Sequence, residues 1–256
     1  MISRLFGFVT SVLFTLIPAH TMLAAETDAV IAVATNFLST ADSLKSDFHQ
    51  RSNYRISLVS GSSGKLYAQI RYGAPFDVYL SADQARPQQL VNNALASKDA
   101  QFTYAIGRLV LWSPNPPDTE LARSQALQLL SASNRIAHAN EALAPYGSAT
   151  VETLKVLNLY EDLQERLVRG ENVGQAYGLV SSGNADIGFI ALAQHLQQHN
   201  KGSSWLVDEK LHTPIRQDAV LLNRGADNAA AQAFVAYLRS DTAQEIIRTA
   251  GYRSEN

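Results

Sequence analysis

Two hydrophobic rhythms take turns along this chain, one of strand period and one of helix period. Ala29–Val33 is an unbroken apolar run, as in a strand buried on both faces. Leu38, Ala41, Leu44 and Phe48 then recur at near-helical spacing. Ile56 and Leu58 alternate as a second strand, and Leu66 and Ile70 mark a short helix. Phe76, Val78 and Leu80 alternate with Asp77, Tyr79 and Ser81 in a third strand. The segment Asp83–Leu95 reads as helix, with Pro87 tolerated in its first turn. A second series starts near Arg108. It predicts strands at Leu109–Trp112, Ile136–His138, Asp186–Leu192 and Asp218–Leu222, and helices at Thr119–Leu130, Tyr146–Leu157, Tyr160–Arg169, Val173–Ser182, Ala229–Arg239 and Ala243–Ala250.

Repeated strand–helix units argue for an α/β fold of mainly parallel sheets covered by helices. Two such series suggest two lobes. Ligands of these sheets sit at the carboxyl ends of strands, near helix N-termini. Thr35, Ser63, Tyr146 and Val173 all fall at predicted helix starts. The run Ser60-Gly61-Ser62-Ser63-Gly64 ends a strand and opens a helix. Such a junction presents first-turn N–H groups, hydroxyl donors and the positive end of a helix dipole, which together suit an anion. Ala34-Thr35-Asn36 is a second junction of the same kind.

The first 25 residues change the picture of where the protein works. Arg4 precedes a largely apolar stretch from Leu5 to Ile17, followed by Pro18 and the small-residue end Leu23-Ala24-Ala25. This reads as an export signal cleaved after Ala25, too short in its apolar part for a spanning helix. The chain has 256 residues, no cysteine, and 21 basic against 23 acidic residues. The missing thiols exclude cysteine nucleophiles, iron–sulfur clusters and cysteine-ligated zinc. The mildly acidic balance lacks the basic footprint of a nucleic-acid binder, so any anion site must be local.

Three longer stretches carry a resemblance. They are Ala32-Val33-Ala34-Thr35-Asn36-Phe37, Ser60–Gly64, and Gly73-Ala74-Pro75-Phe76-Asp77-Val78-Tyr79-Leu80-Ser81-Ala82-Asp83. With Ala144-Pro145-Tyr146-Gly147, Glu171-Asn172-Val173 and Asp186–Ala191, they resemble the periplasmic molybdate-binding proteins of ABC importers over nearly the whole mature chain. The resemblance implies a two-lobed periplasmic-binding fold of the second type, closing over one molybdate or tungstate ion. Residues 26–105 plus 214–256 would form lobe one and residues 106–213 lobe two, with chain crossings near Ile106 and Thr213 as the hinge. It also implies a free periplasmic monomer that serves a membrane permease, with no catalysis and no cofactor beyond the bound ion.

Carried over by position, the ligand contacts fall on Thr35, Asn36, Ser63, Tyr146 and Val173. Thr35 and Ser63 would offer hydroxyl and backbone donors, Asn36 its amide or backbone N–H, and Tyr146 and Val173 backbone N–H groups. The metal would be held only through its oxygens, without direct ligands. One branch of the family places a tyrosine where this chain has Ala191, so that contact is lost here. Neutral donors avoid burying an unpaired counter-charge and disfavour an anion that still carries a proton, such as phosphate. Selection against sulfate must then rest on cavity size.

Other chemistry has weaker support. Gly61–Lys65 fails the nucleotide-loop spacing, because Val59 and Leu66 occupy its key positions. Lys65 is expected to be a solvated bystander. His195 and His199 share a helix face, but Leu196 stands where a metalloprotease needs Glu, and the polar tract Gln194–Asn200 reads as an exposed helix. No Gly-x-Ser-x-Gly elbow occurs. Asp77 and Asp83 are expected to be structural, and Tyr67, Tyr72 and Tyr79 to pack. Thr35 and Asn36 could also serve as an ordinary helix cap. The residues leave open two alternatives: a binder of another oxyanion such as sulfate, and an exported phosphate-ester hydrolase.

Overall fold

The structure is a computed structural model and describes residues 28–197 and 201–255. The expected export signal and His199 lie outside these residues. From the N-terminus the chain forms β1 (Ala29–Ala34), α1 (Leu38–Arg51), β2 (Ile56–Gly61), α2 (Ser63–Arg71), β3 (Val78–Leu80), α3 (Ala85–Asn92) and β4 (Ala96–Gly107). Next come β5 (Leu109–Ser113), β6 (Thr119–Glu120), α4 (Arg123–Ala132), β7 (Ile136–Ala139), α5 (Pro145–Val156), α6 (Tyr160–Leu163), β8 (Leu167–Gly170), α7 (Val173–Ser181), β9 (Ile187–Ala191), α8 (Leu192–Gln197) and β10 (Ser203–Leu206). The chain closes with β11 (Ile215–Leu222), α9 (Ala229–Leu238) and α10 (Asp241–Thr249).

These strands make two sheets, ordered β2-β1-β3-β11-β4 and β6-β10-β5-β9-β7-β8. Each is parallel where βα units follow one another: β1 with β2 and β3, and β7 with β8 and β9. Pairings are antiparallel at β11 and β5, the strands next to the two points where the chain changes sheets. The first crossing is only Gly107–Leu109; the second runs between Leu206 and Ile215.

Each sheet has its own core. In the first, Ile31, Val33, Val78 and Leu80 pack with Phe37, Leu44 and Phe48 of the helical layer and with Phe234 and Ile247 from the C-terminal helices. The C-terminal segment is therefore part of the first core. In the second, Leu109, Leu111, Ile136 and Phe189 pack with Leu130 and Leu154. Burying each such side chain contributes about 1.5–3 kcal/mol.

Several elements differ from the sequence pattern. Thr119–Glu120 is a short strand on β10, and the helix starts only at Arg123, where Gln125 accepts the Ala122 N–H. The segment Tyr160–Arg169 is one helical turn, a 3₁₀ turn over Gln164–Arg166, and the start of β8. The helix expected over Asp83–Leu95 is limited to Ala85–Asn92. Asp83 accepts the Arg86 N–H at its start, and Ala94 has a φ of 54°, which ends it. Strands β4 and β10 had no clear signal. The β4 segment carries the polar run Ser97-Lys98-Asp99 after its first residue and is an edge strand, where no strict alternation is required.

Candidate functional site

Four helix starts converge between the two sheets. β1 runs into a 3₁₀ turn at Thr35–Phe37, β2 into α2, the loop after β7 into α5, and β8 into α7. Thr35, Asn36, Ser63, Tyr146 and Val173 line one small cavity with Ala34, Ser62, Ala82, Ala144 and Pro145. The room for the centre of a water-sized sphere is about 10 Å³. A void of about that volume has room for one very small ligand only. That excludes a sugar or a nucleotide from the cavity as it stands. Every lining side chain is uncharged.

The first-turn N–H groups can be accounted for one by one. At α2, the N-cap Ser62 hydroxyl accepts from Lys65 and its carbonyl from Leu66. The Gly64 N–H donates to the Leu143 carbonyl, at 2.9 Å, across the gap between the lobes. Only the Ser63 N–H remains without a protein acceptor among the described residues. At α5, Pro145 has no N–H, Gly147 and Ser148 donate to the Ala144 carbonyl, and the Tyr146 N–H remains. At α7, the N-cap Asn172 takes the N–H groups of Gln175 and Ala176, which leaves Val173 and Gly174. Each unused donor therefore sits at the positive end of a helix.

Side chains refine the picture. The Ser63 hydroxyl accepts the Ala82 N–H at 3.0 Å, which leaves its proton free for another acceptor. Tyr79 fixes the same residue by donating to the Ser63 carbonyl at 2.8 Å. Thr35 packs against the start of α7: a Cβ placed on Gly174 would lie 3.5 Å from the Thr35 Cβ. Neither Thr35 nor Asn36 caps its helix, since the N-cap is Ala34. The amide of Asn36 is not available to a ligand. It donates to Gln217 Oε1 at 2.9 Å and to Tyr252 Oη at 3.3 Å. That corrects the expectation of an amide donor and leaves Asn36 its backbone N–H.

Behind the cavity lies a neutral polar layer. Tyr79, Tyr104, Tyr146 and Tyr252 are buried, and burial raises the pKa of each phenol above its ordinary value. All four are therefore uncharged at neutral pH. Tyr104 donates towards Gln217 Oε1 and the Ser81 carbonyl, and Gln217 Nε2 donates to the Tyr146 hydroxyl. Sequence patterns did not single out Gln217, Tyr104 or Tyr252. Polar residues inside strand runs are the signal that could have found them.

The remaining expectations resolve as follows. Asp77 is buried and structural, accepting the Val30 N–H at 2.8 Å, with Arg224 at 3.4 Å. Asp83 pairs with Arg86 outside the cavity. Tyr79 is fully buried, but Tyr72 is 91% exposed and packs on nothing substantial. Lys65 is exposed yet not free, since it pairs with Glu171. Ala191 is buried and does not line the cavity. The tract at Gln194 is not an exposed helix at its start, because Gln194 and His195 are both buried. Gln194 accepts the Ala191 N–H and reaches the Val173 carbonyl at 3.4 Å, so it supports the site. No group of three or more potential metal ligands occurs among the described residues.

Two sheets with flanking helices, joined by two chain crossings and enclosing a small polar cavity, define the class of solute-binding proteins. The chain belongs to the family described as bacterial extracellular solute-binding protein, whose model matches residues 29–253. It is 40% identical to the molybdate-binding protein ModA of Rhodobacter capsulatus, over 91% of this chain and 90% of that protein. The solved periplasmic molybdate-binding protein of Azotobacter vinelandii superposes with a TM-score of 0.83 at 39% identity, covering 89% of this chain and 100% of the other. The sulfate-binding protein SubI of Mycobacterium tuberculosis, at 14% identity and a TM-score of 0.69, shares the fold.

Proposed function

We propose that this protein is a periplasmic solute-binding protein that captures molybdate, with tungstate as its close substitute, and delivers it to the permease of an ABC importer. The observation that carries the reading is the uncharged cavity whose unused donors come from helix starts on both sheets. Thr35 and Ser63 would bind through hydroxyl and backbone N–H, and Asn36, Tyr146 and Val173 through backbone N–H. A hydrogen bond to a charged group contributes about 1.5–3 kcal/mol. Several of them, less desolvation and ordering, suffice for the roughly −8 to −12 kcal/mol of micromolar to nanomolar binding. The 40% identity to a molybdate-binding protein supports the choice of ion.

The two lobes in this reading are residues 26–105 with 214–256, and residues 106–213. They close about the crossings near Ile106 and Thr213. The mature protein begins after Ala25, acts as a monomer, binds no nucleic acid, catalyses no reaction and needs no resident cofactor. Thermal unfolding with and without ligand tests the assignment. Molybdate at 100 times its dissociation constant should stabilise the fold by about 2.7 kcal/mol. A melting temperature unmoved by saturating molybdate and by tungstate would overturn it.

A further inference from the structure

Gln217 touches both halves of the cavity wall from behind. It lies on β11, opposite Ala105 in the ladder, and is 0% exposed. Its Oε1 accepts from the Asn36 amide at 2.9 Å and from Tyr104 at 3.1 Å. Its Nε2 donates to the Tyr146 hydroxyl at 3.4 Å. Asn36 belongs to the first lobe and Tyr146 to the second, and each also offers the cavity an unused backbone N–H. Gly107 completes the arrangement at the first crossing: a Cβ there would run into the Tyr146 hydroxyl and the Gln217 amide.

We propose that Gln217 is the positioning residue that couples lobe closure to assembly of the anion site, with Gly107 as the seat into which the Tyr146 phenol closes. This rests on the reading of the cavity as an oxyanion site. The chemistry requires an amide. Asn36 presents a donor and needs an acceptor; the Tyr146 oxygen takes a donor. Methyl and thioether side chains have no donor for the Tyr146 oxygen, and a carboxylate would replace the donor by a buried charge with no cation beside it. When the lobes separate, the Tyr146 contact breaks while the Asn36 contact, within one lobe, persists. Gln217 therefore distinguishes closed from open through a single hydrogen bond and the fit over Gly107.

The test titrates molybdate into the wild-type protein and into the Gly107→Ala, Gln217→Met and Gln217→Glu variants, from pH 5.5 to 8.5, and measures ligand-free melting in parallel. Gly107→Ala should lose about tenfold or more in affinity, because its methyl group would displace the Tyr146 hydroxyl as well as the Gln217 amide; the ligand-free melt reads separately what the crowding of Gln217 costs the fold. Gln217→Glu should bind poorly at pH 8.5 and recover as pH falls, because a buried carboxyl protonates more readily and its O–H then replaces the lost donor. The titratable groups facing it are Tyr104 and Tyr146, with Tyr252 beyond Asn36; Asp218, next along the strand, is engaged by Gln101 and Thr103. Wild-type affinity in both Gly107→Ala and Gln217→Met, or a Gln217→Glu profile as flat as that of the wild type, would overturn the inference alone. No binding of molybdate by the wild type would overturn the functional reading and the inference with it.

Discussion

The Lys65 ammonium lies 2.5 Å from the Glu171 carboxylate, and the two residues come from opposite lobes. Each stands two positions from a cavity residue, Ser63 on one side and Val173 on the other. With the Gly64–Leu143 hydrogen bond and the Arg86 contact to the Ala142 carbonyl, the pair forms a clasp at the rim rather than a ligand to the anion. The side chains are 55% and 32% exposed, so the pair sits largely in water. Exposed pairs contribute about 0–1 kcal/mol. Lys65→Ala or Glu171→Ala should therefore change molybdate affinity by less than about fivefold, mainly through faster release. Stopped-flow dissociation should show the effect fading in about 1 M salt, where the screening length is about 3 Å.

Ser63 should matter more. Its hydroxyl is buried, is held by the Ala82 N–H, and has its proton free. Ser63→Ala removes that donor and orphans the Ala82 N–H, so molybdate binding should weaken by roughly 1–3 kcal/mol. Calorimetric titration reads this directly. Unchanged affinity would make the Ser60–Gly64 turn structural.

Acid should weaken the fold before it weakens the site. Burial lowers the pKa of His49, His138 and His195 below 6.5. Glu141 opposes the effect at His138 without reversing it. His49 also accepts the Ile56 N–H at 2.9 Å, which a protonated ring cannot do. The unfolded chain takes up protons near pH 6.5 while the folded chain resists them, so stability is whole above that pH and falls as pH drops through the lower folded values. Thermal melts from pH 7.5 to 5 should show the loss, and His195→Gln should make it shallower. Because His195 lies outside the cavity, the same variant should keep wild-type molybdate affinity at pH 7.5.

The site itself should be insensitive to pH on the alkaline side. No charged side chain lines it, and burial holds the tyrosines behind it above their ordinary range. Affinity for molybdate should stay level from about pH 7 to 9. A fall of tenfold over that span would mean that a lysine or a phenol takes part.

Much of this was legible in the chain because the relevant forces are local. Ala29–Val33 reads as a doubly buried strand since nothing polar interrupts it, and the Ser60–Gly64 run ends a strand and opens a helix as expected, with Ser62 as its N-cap. What stayed hidden depends on partners distant in sequence. Strand β4 gains its place from β11, more than 100 positions later, which pairs with it from Gln101 to Gly107 and again at Ala96, the polar stretch between lying in a register shift. Asn36 looked like a ligand amide because its partners, Gln217 and Tyr252, lie 181 and 216 residues away. Gln194 and His195 looked solvated because polarity alone does not show that a side chain is buried against another strand.

The central claim is that this cavity selects a fully deprotonated tetrahedral oxyanion with neutral donors alone. Calorimetric titration of the protein at pH 7.5 with molybdate, tungstate, sulfate and phosphate tests it most directly. Molybdate and tungstate should bind one ion per chain at micromolar affinity or tighter, and phosphate, which still carries a proton, at least about a hundredfold more weakly, a gap of about 2.7 kcal/mol. Phosphate bound as tightly as molybdate, or no heat from either molybdate or tungstate, would contradict the claim.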